Sequence, residues 1–360
     1  MRAARLSILL FVAACATPGR EQPATPEPRK PAWVVLPDNP LEPHLTNVRQ
    51  LTFGGENAEA YWSWDGTKLI LQVTGRHEFK CDQIVVMDCD GNDEHLVSTG
   101  KGRTTCAYFL PGDREIVYAS THHISPECPV PAKADPGVYA WPLFDYDIFK
   151  AGADGSNLVQ LTDERCYDAE ATVGPDGTIV FTSARTGDLE IWRMNADGSD
   201  LRQLTHEVGY DGGPFVSLDG KRIVYRSSHP TEPAGVAKYK DLLARGLVQP
   251  TKMDLWIMDA DGSNQRQVTR LPGASFGPFL RAAGEKIIFA SNWEAPRGPE
   301  FELYLVNEDG TGIERVTNSP SFDGFPMFSP DGKQLVWCSN RHGSQPHETN
   351  VFVADWVENP

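Results

Sequence analysis

Asp259-Ala260-Asp261-Gly262-Ser263, leading to Gln267-Val268-Thr269, is one copy of a phrase that recurs along the chain. Met87-Asp88-Cys89-Asp90-Gly91 leads in the same way to His95-Leu96-Val97-Ser98, and Ala153-Asp154-Gly155-Ser156 to Gln160-Leu161-Thr162. Asn195-Ala196-Asp197-Gly198-Ser199 precedes Arg202-Gln203-Leu204-Thr205, and Asn307-Glu308-Asp309-Gly310-Thr311 precedes Arg315-Val316-Thr317. Each copy follows an apolar strand. Asp-Gly suits a tight hairpin because Gly accepts positive φ while the Asp side chain caps the turn's own amides.

Ahead of each copy, and once more near the C-terminus, stands a second hairpin. Its turns are Trp64-Asp65-Gly66, Pro111-Gly112-Asp113, Pro175-Asp176-Gly177, Leu218-Asp219-Gly220, Ala283-Gly284 and Pro330-Asp331-Gly332. Each repeat is therefore four antiparallel strands, apolar on both faces, and radial stacking is the arrangement that covers both faces at once. The last repeat stops at its third strand, Asn350 to Asp355, whereas Val48-Arg49-Gln50-Leu51-Thr52 reads as a fourth strand with no partners before it. The expected fold is all-β: a six-bladed β-propeller over residues 47–360, closed by an N-terminal strand that completes the last blade.

The Ser329-Pro330-Asp331-Gly332 turn, the Asp259 to Ser263 phrase and the Gln-Leu-Thr endings resemble the repeats of the TolB-like β-propeller family. TolB is a periplasmic protein of the Tol-Pal envelope system and carries an α/β domain before its propeller. Here a Pro-rich stretch occupies that place.

The first residues read as an export signal: Arg2 and Arg5 form a positive start, and Leu6 to Ala14 an apolar run too short to span a bilayer. Val12-Ala13-Ala14-Cys15 resembles a lipobox, so residues 1–14 are expected to be removed and Cys15 to carry the lipid. Residues 15–46, with eight prolines from 16 to 47, read as a tether. This predicts a monomer anchored by lipid in the bacterial envelope, at the outer membrane and facing the periplasm. Lys and Arg number 33 against 49 Asp and Glu, a net charge of -16, which excludes nucleic acid as a partner.

Two repeats are long, with insertions at Ser120 to Tyr146 and Ser228 to Met253, both between second and third strands. They mark one face for binding. Ala237 to Gly246 reads as a short helix in the second insertion. Six residues before each first turn stand Asn57, Thr104, Asp168, Asp211, Ser275 and Asp323, with Glu59 and Glu170 two residues further on. These acids are candidates to hold a basic peptide end, calcium or another divalent cation at the channel mouth, with Asp168, Asp211 and Asp323 as possible ligands. The competing reading has them cap backbone amides.

A second ring at the ends of second strands comprises Arg76, His122, Arg185, His229, Trp293 and Arg341, suited to an anion. The competing reading pairs its arginines within each blade with the residues that begin the third strands: Gln83, Asp147, Glu190, Asp254, Glu302 and Asn350.

Gly273-Ala274-Ser275-Phe276-Gly277 matches a serine-hydrolase pattern but lies in a blade-to-blade link without the following helix that a nucleophile elbow needs. Among the cysteines, Cys128 is expected to meet Cys166, and Cys81 to meet Cys106. Cys89 and Cys338 read as small apolar strand residues.

The function expected is an envelope binding or scaffold module for a protein, peptide or glycan on the insertion-bearing face, without a catalytic residue or a resident cofactor. The alternative is a metal-dependent propeller enzyme. Dispersed histidines such as His122, His123, His229, His342 and His347 resemble the manganese site of oligogalacturonate lyases, and peptidase-associated propellers are a further possibility.

Overall fold

The closing hydroxyl of each repeat does two jobs. Thr205 Oγ1 accepts from the Ile191 amide at 2.8 Å and donates to Glu190 Oε2 at 2.6 Å. Thr317 does the same with Leu303 and Glu302 at 2.8 and 2.7 Å. Ser98 with Gln83, Thr162 with Asp147, Thr269 with Asp254, and Thr52 with Asn350 repeat the arrangement. The fourth strands are only a residue pair long in blades 1 to 5, so this contact extends their hold on the third strand.

The computed structural model describes residues 33–281 and 286–360. Residues 1–14, Cys15, the tether as far as residue 32, and the Ala283-Gly284 turn lie outside the described residues. Blade 1 orders Glu56–Trp62, Lys68–Thr74, Gln83–Asp88 and His95–Leu96 from the axis outward, all antiparallel. Blades 2 to 5 follow the same order, beginning at Thr104–Phe109, Asp168–Val173, Tyr210–Val216 and Ser275–Leu280. Trp62, Trp337, Tyr118, Phe109, Phe181 and Phe289 are fully buried in the stacked sheets. This is the six-bladed, four-stranded propeller expected from the repeats.

Blade 6 closes the ring. Leu45–Gln50 pairs with Asn350–Trp356 through Arg49 opposite Val353 and Gln50 opposite Phe352, and the Leu51 amide donates to the Val351 carbonyl at 2.8 Å. The ring takes in more of the N-terminus than the boundary at residue 46: Leu45 and Thr46 are already paired, and Val34–Val35 adds a fifth strand. A two-residue strand between prolines carries no readable periodicity.

The two insertions meet. Helix Pro233–Ala244 begins four residues before the predicted start, with Pro at its first turn, and is followed by the cap residue Arg245 and by Gly246, whose φ of 68° suits a left-handed stop. Leu247–Val248 then pairs with Trp141–Pro142 of the other insertion. Arg245 adds an ion pair to Asp135 at 2.9 Å. The result is an arch carried by blades 2 and 4.

The disulfide pairing differs from both expected pairs: Cys81 is bonded to Cys128, while Cys106 and Cys166 are free. The blade 2 insertion doubles back toward blade 1, where the Gly102 amide donates to the Pro126 carbonyl at 2.9 Å, and this brings Cys128 to Cys81. Cys106 instead lines the channel, and Cys166 lies 3.5 Å from Asp168 Oδ1. Cys338 is buried in its strand as expected; Cys89 is half-buried just past one.

Thr205→Val leaves the Ile191 amide and the Glu190 carboxyl without their buried partner. A loss of about 2 kcal/mol in urea unfolding is expected, and an unchanged midpoint would contradict the role given to this hydroxyl. Unreduced digests should contain the Cys81 and Cys128 peptides joined, with Cys106 and Cys166 open to alkylation after unfolding.

Candidate functional site

The inner strand of every blade carries a bulge, and at each bulge one residue has left-handed backbone. These are Glu59, Cys106, Glu170, Gly213, Gly277 and Phe325, with φ from 47° to 58°. Four of the six are not glycine, and a non-glycine residue held in this region costs about 1–3 kcal/mol, a strain that concentrates at functional sites. All six line one cavity on the axis with a free volume of about 20 Å³. That is room for one water-sized group. Further along the axis, toward the Asp-Gly turns, Tyr61, Tyr108 and Phe279 pack around Phe215 with ring centroids 5.2 to 6.1 Å from it.

Arg226 reaches the cavity from the second strand of blade 4 and pairs with Glu170. Its Nε donates to Tyr210 Oη at 2.9 Å, and its guanidinium lies 5.4 Å from the Trp141 ring of the arch. Gly213 permits this approach, since a Cβ there would fall 2.6 Å from the Arg226 Nη1. Glu170 is saturated: it accepts from Thr182 Oγ1 at 2.6 Å, the Gly213 amide at 2.8 Å and Tyr210 Oη at 3.0 Å, besides Arg226.

Glu59 is not. Its Oε2 is buried without a hydrogen-bond partner. Burial pushes its carboxyl up to about 7; the Cys106 thiol and Arg226 oppose the shift, while Glu170 and Asp82 reinforce it. Two carboxyls thus face one guanidinium.

In three of the six blades, members of the two predicted rings are the two halves of one ion pair. Arg185 donates to Asp168 at 2.7 Å, His229 lies 2.9 Å from Asp211, and Arg341 donates to Asp323 at 2.8 Å. Burial opposes the charged imidazolium of His229, but Asp211 outweighs it and holds the ring above its ordinary value. The third-strand acids proposed as partners for these arginines are occupied by the closing hydroxyls instead. Arg76 pairs with Glu94 at 2.7 Å, the His122 ring lies 2.7 Å from Ser120 Oγ, and the Trp293 indole N–H is buried without a partner.

Asn57 and Thr104 donate to the Thr349 and Asp82 carbonyls, each just ahead of the third strand of the preceding blade, and the Ser275 hydroxyl lies 3.1 Å from that of Ser291. Asp168, Asp211 and Asp323 each stay with the base of their own blade. Among the described residues no three His, Cys, Asp or Glu side chains are placed to share a metal ion. The site that does form combines Glu59 and Glu170, which the sequence marked, with Cys106 and Arg226, which it did not. Arg226 had one legible signal, a lone charge in the apolar run Ile223-Val224-Tyr225-Arg226.

Neither a family model nor a curated protein matches the chain. Solved structures do. A putative TolB from Agrobacterium tumefaciens is 19% identical with a TM-score of 0.54, over 84% of this chain and 91% of that one. A gluconolactonase from Xanthomonas campestris is 13% identical with a TM-score of 0.56, over 90% and 94%. An oligogalacturonate lyase in complex with manganese is 16% identical with a TM-score of 0.52, over 91% and 96%. These likenesses establish the propeller, with TolB propellers among the structural neighbours.

Glu59 gives a pH test. Its folded value lies above the ordinary 4.5, so its contribution to stability is greatest below pH 4.5, falls as pH rises toward 7, and is flat beyond. The difference is about 3 kcal/mol. Glu59→Gln should remove that slope from urea unfolding measured between pH 5 and 8; an identical slope in the variant would refute the assignment.

Proposed function

We propose that the chain is a cell-envelope lipoprotein whose propeller docks a protein, peptide or glycan on the face bearing the arch. The observation that carries this reading is the arch's outer surface. Val130 is 86% exposed, Tyr139 66% and Ile124 47%, all on one insertion held by the Cys81–Cys128 bond and by Arg245. Apolar side chains fixed in this way on an outer layer favour association with a partner, and the aliphatic ones favour a polypeptide. The cavity beneath, at about 20 Å³, has no space for a sugar-sized substrate.

Among the described residues no helix is long and apolar enough to cross a membrane. We assign attachment to a lipid on Cys15, with the monomeric ring facing the periplasm from the outer membrane. The Tol-Pal setting of TolB and the lipobox reading of residues 12–15 support this.

Photocrosslinking amino acids at Val130 and Tyr139, compared with Thr178 on the opposite face, test the docking reading in intact cells. A discrete adduct from the first two and none from Thr178 is expected; adducts from Thr178 alone would overturn it. Palmitate labelling should mark the wild type and be absent from Cys15→Ser.

A further inference from the structure

Among the described residues lining the axial cavity, Glu59 alone has a buried oxygen with no partner. Every acceptor on Glu170 is engaged, so the negative charge left over after Arg226 is counted belongs to Glu59. Glu59 as a residue is half-buried, but its Oε2 is shielded from water, and a carboxylate oxygen so placed favours either a proton or a cationic partner. The space beside it decides which cations qualify. About 20 Å³ accommodates a water-sized head and excludes a guanidinium or a quaternary ammonium.

The surrounding groups also favour a cation. Arg226 already lies over Trp141 at 5.4 Å and Tyr210 at 5.5 Å, so the protein's own positive group is held by aromatic faces and a carboxylate at this mouth. The Tyr61, Tyr108, Phe215 and Phe279 cluster fills the axis beyond the cavity. A ligand must therefore end here and cannot thread through.

We propose that Glu59 receives a primary ammonium, the end of a lysine side chain or the α-amine of a polypeptide, at the floor of the arch-bearing face. This deepens the docking function proposed above and rests on it: the partner presents an amine to the axis while its body lies against the arch.

Binding is coupled to a proton. The titratable groups around Glu59 include Glu170, Arg226, Cys106, Asp82 and Tyr61, with Tyr146 and Cys338 on the neighbouring elements. Below about pH 7 the Glu59 carboxyl holds its own proton, and an arriving ammonium displaces it, so affinity rises with pH up to that value and then levels off.

The probe is n-butylammonium, with tetramethylammonium and butyrate as controls, added to the full mature protein. Butylammonium should raise the thermal midpoint by a few degrees and the controls should not. Its calorimetric affinity should increase several-fold from pH 5.5 to 7.5, with proton release at the lower pH. Glu59→Gln, which removes the unpaired charge and whose folding is checked by circular dichroism, should abolish the response. An equal effect of tetramethylammonium, or an unchanged response in Glu59→Gln, overturns the ammonium site. Persistence of the Val130 and Tyr139 adducts in cells would then leave the docking reading standing, and their loss would remove both.

Discussion

Closure of the ring is the constraint on which the rest of the structure depends. A blade with two apolar faces is stable only between two others, so the first and last blades of an open row would each expose a face. Here the closure is a strand from one end of the chain laid beside a strand from the other. It is reinforced off the ladder as well: Glu42 accepts from Arg341 at 3.1 Å, and the His44 ring nitrogens lie 2.7 Å from the Val357 carbonyl and 2.7 Å from Glu314. Arg341 also pairs with Asp323, so one buried side chain joins the closing segment to the inner strand of blade 6. Removing a partner from such a buried group is far more damaging than the net value of the contact implies.

Given a closed ring, the bulged inner strands bring six equivalent residues to the axis, and the repeat permits them to differ. Where the chain places Gly213 and Gly277, the left-handed backbone carries little strain; where it places Glu59, Cys106, Glu170 and Phe325, the strain is accepted and side chains enter the channel. The polar ones lie on one side, and the packed rings of Tyr61, Tyr108, Phe215 and Phe279 lie behind them. The axis is thus a blind recess with an unbalanced charge at its base.

The fold was legible because the turn chemistry repeats: Asp154, Asp197, Asp261 and Asp309 each accept from a Ser or Thr two residues on, as a local rule requires. What depended on long-range contacts was not legible. The Cys81 to Cys128 bond requires the path of an insertion that has no periodic pattern, and the arch requires two insertions to meet. Glu59 and Glu170 were marked by their spacing from a turn, but Arg226 belongs to the site only because a second strand places it opposite Gly212. The rings of Asp168, Asp211 and Asp323 and of Arg185, His229 and Arg341 were found separately; cross-strand register makes them pairs.

The added strand Val34–Val35 has a mechanical consequence. It pairs with Gln50 and Arg49, near the end of the closing strand. Tension arriving from the preceding residues would meet this two-residue ladder first and unzip it, paying out chain at about 3.3 Å per residue. The next fixed points are the Leu36 amide on the Val48 carbonyl at 2.8 Å and, beyond it, Glu42 on Arg341. The slack between them would be spent before any load reached the strand that holds the circle shut.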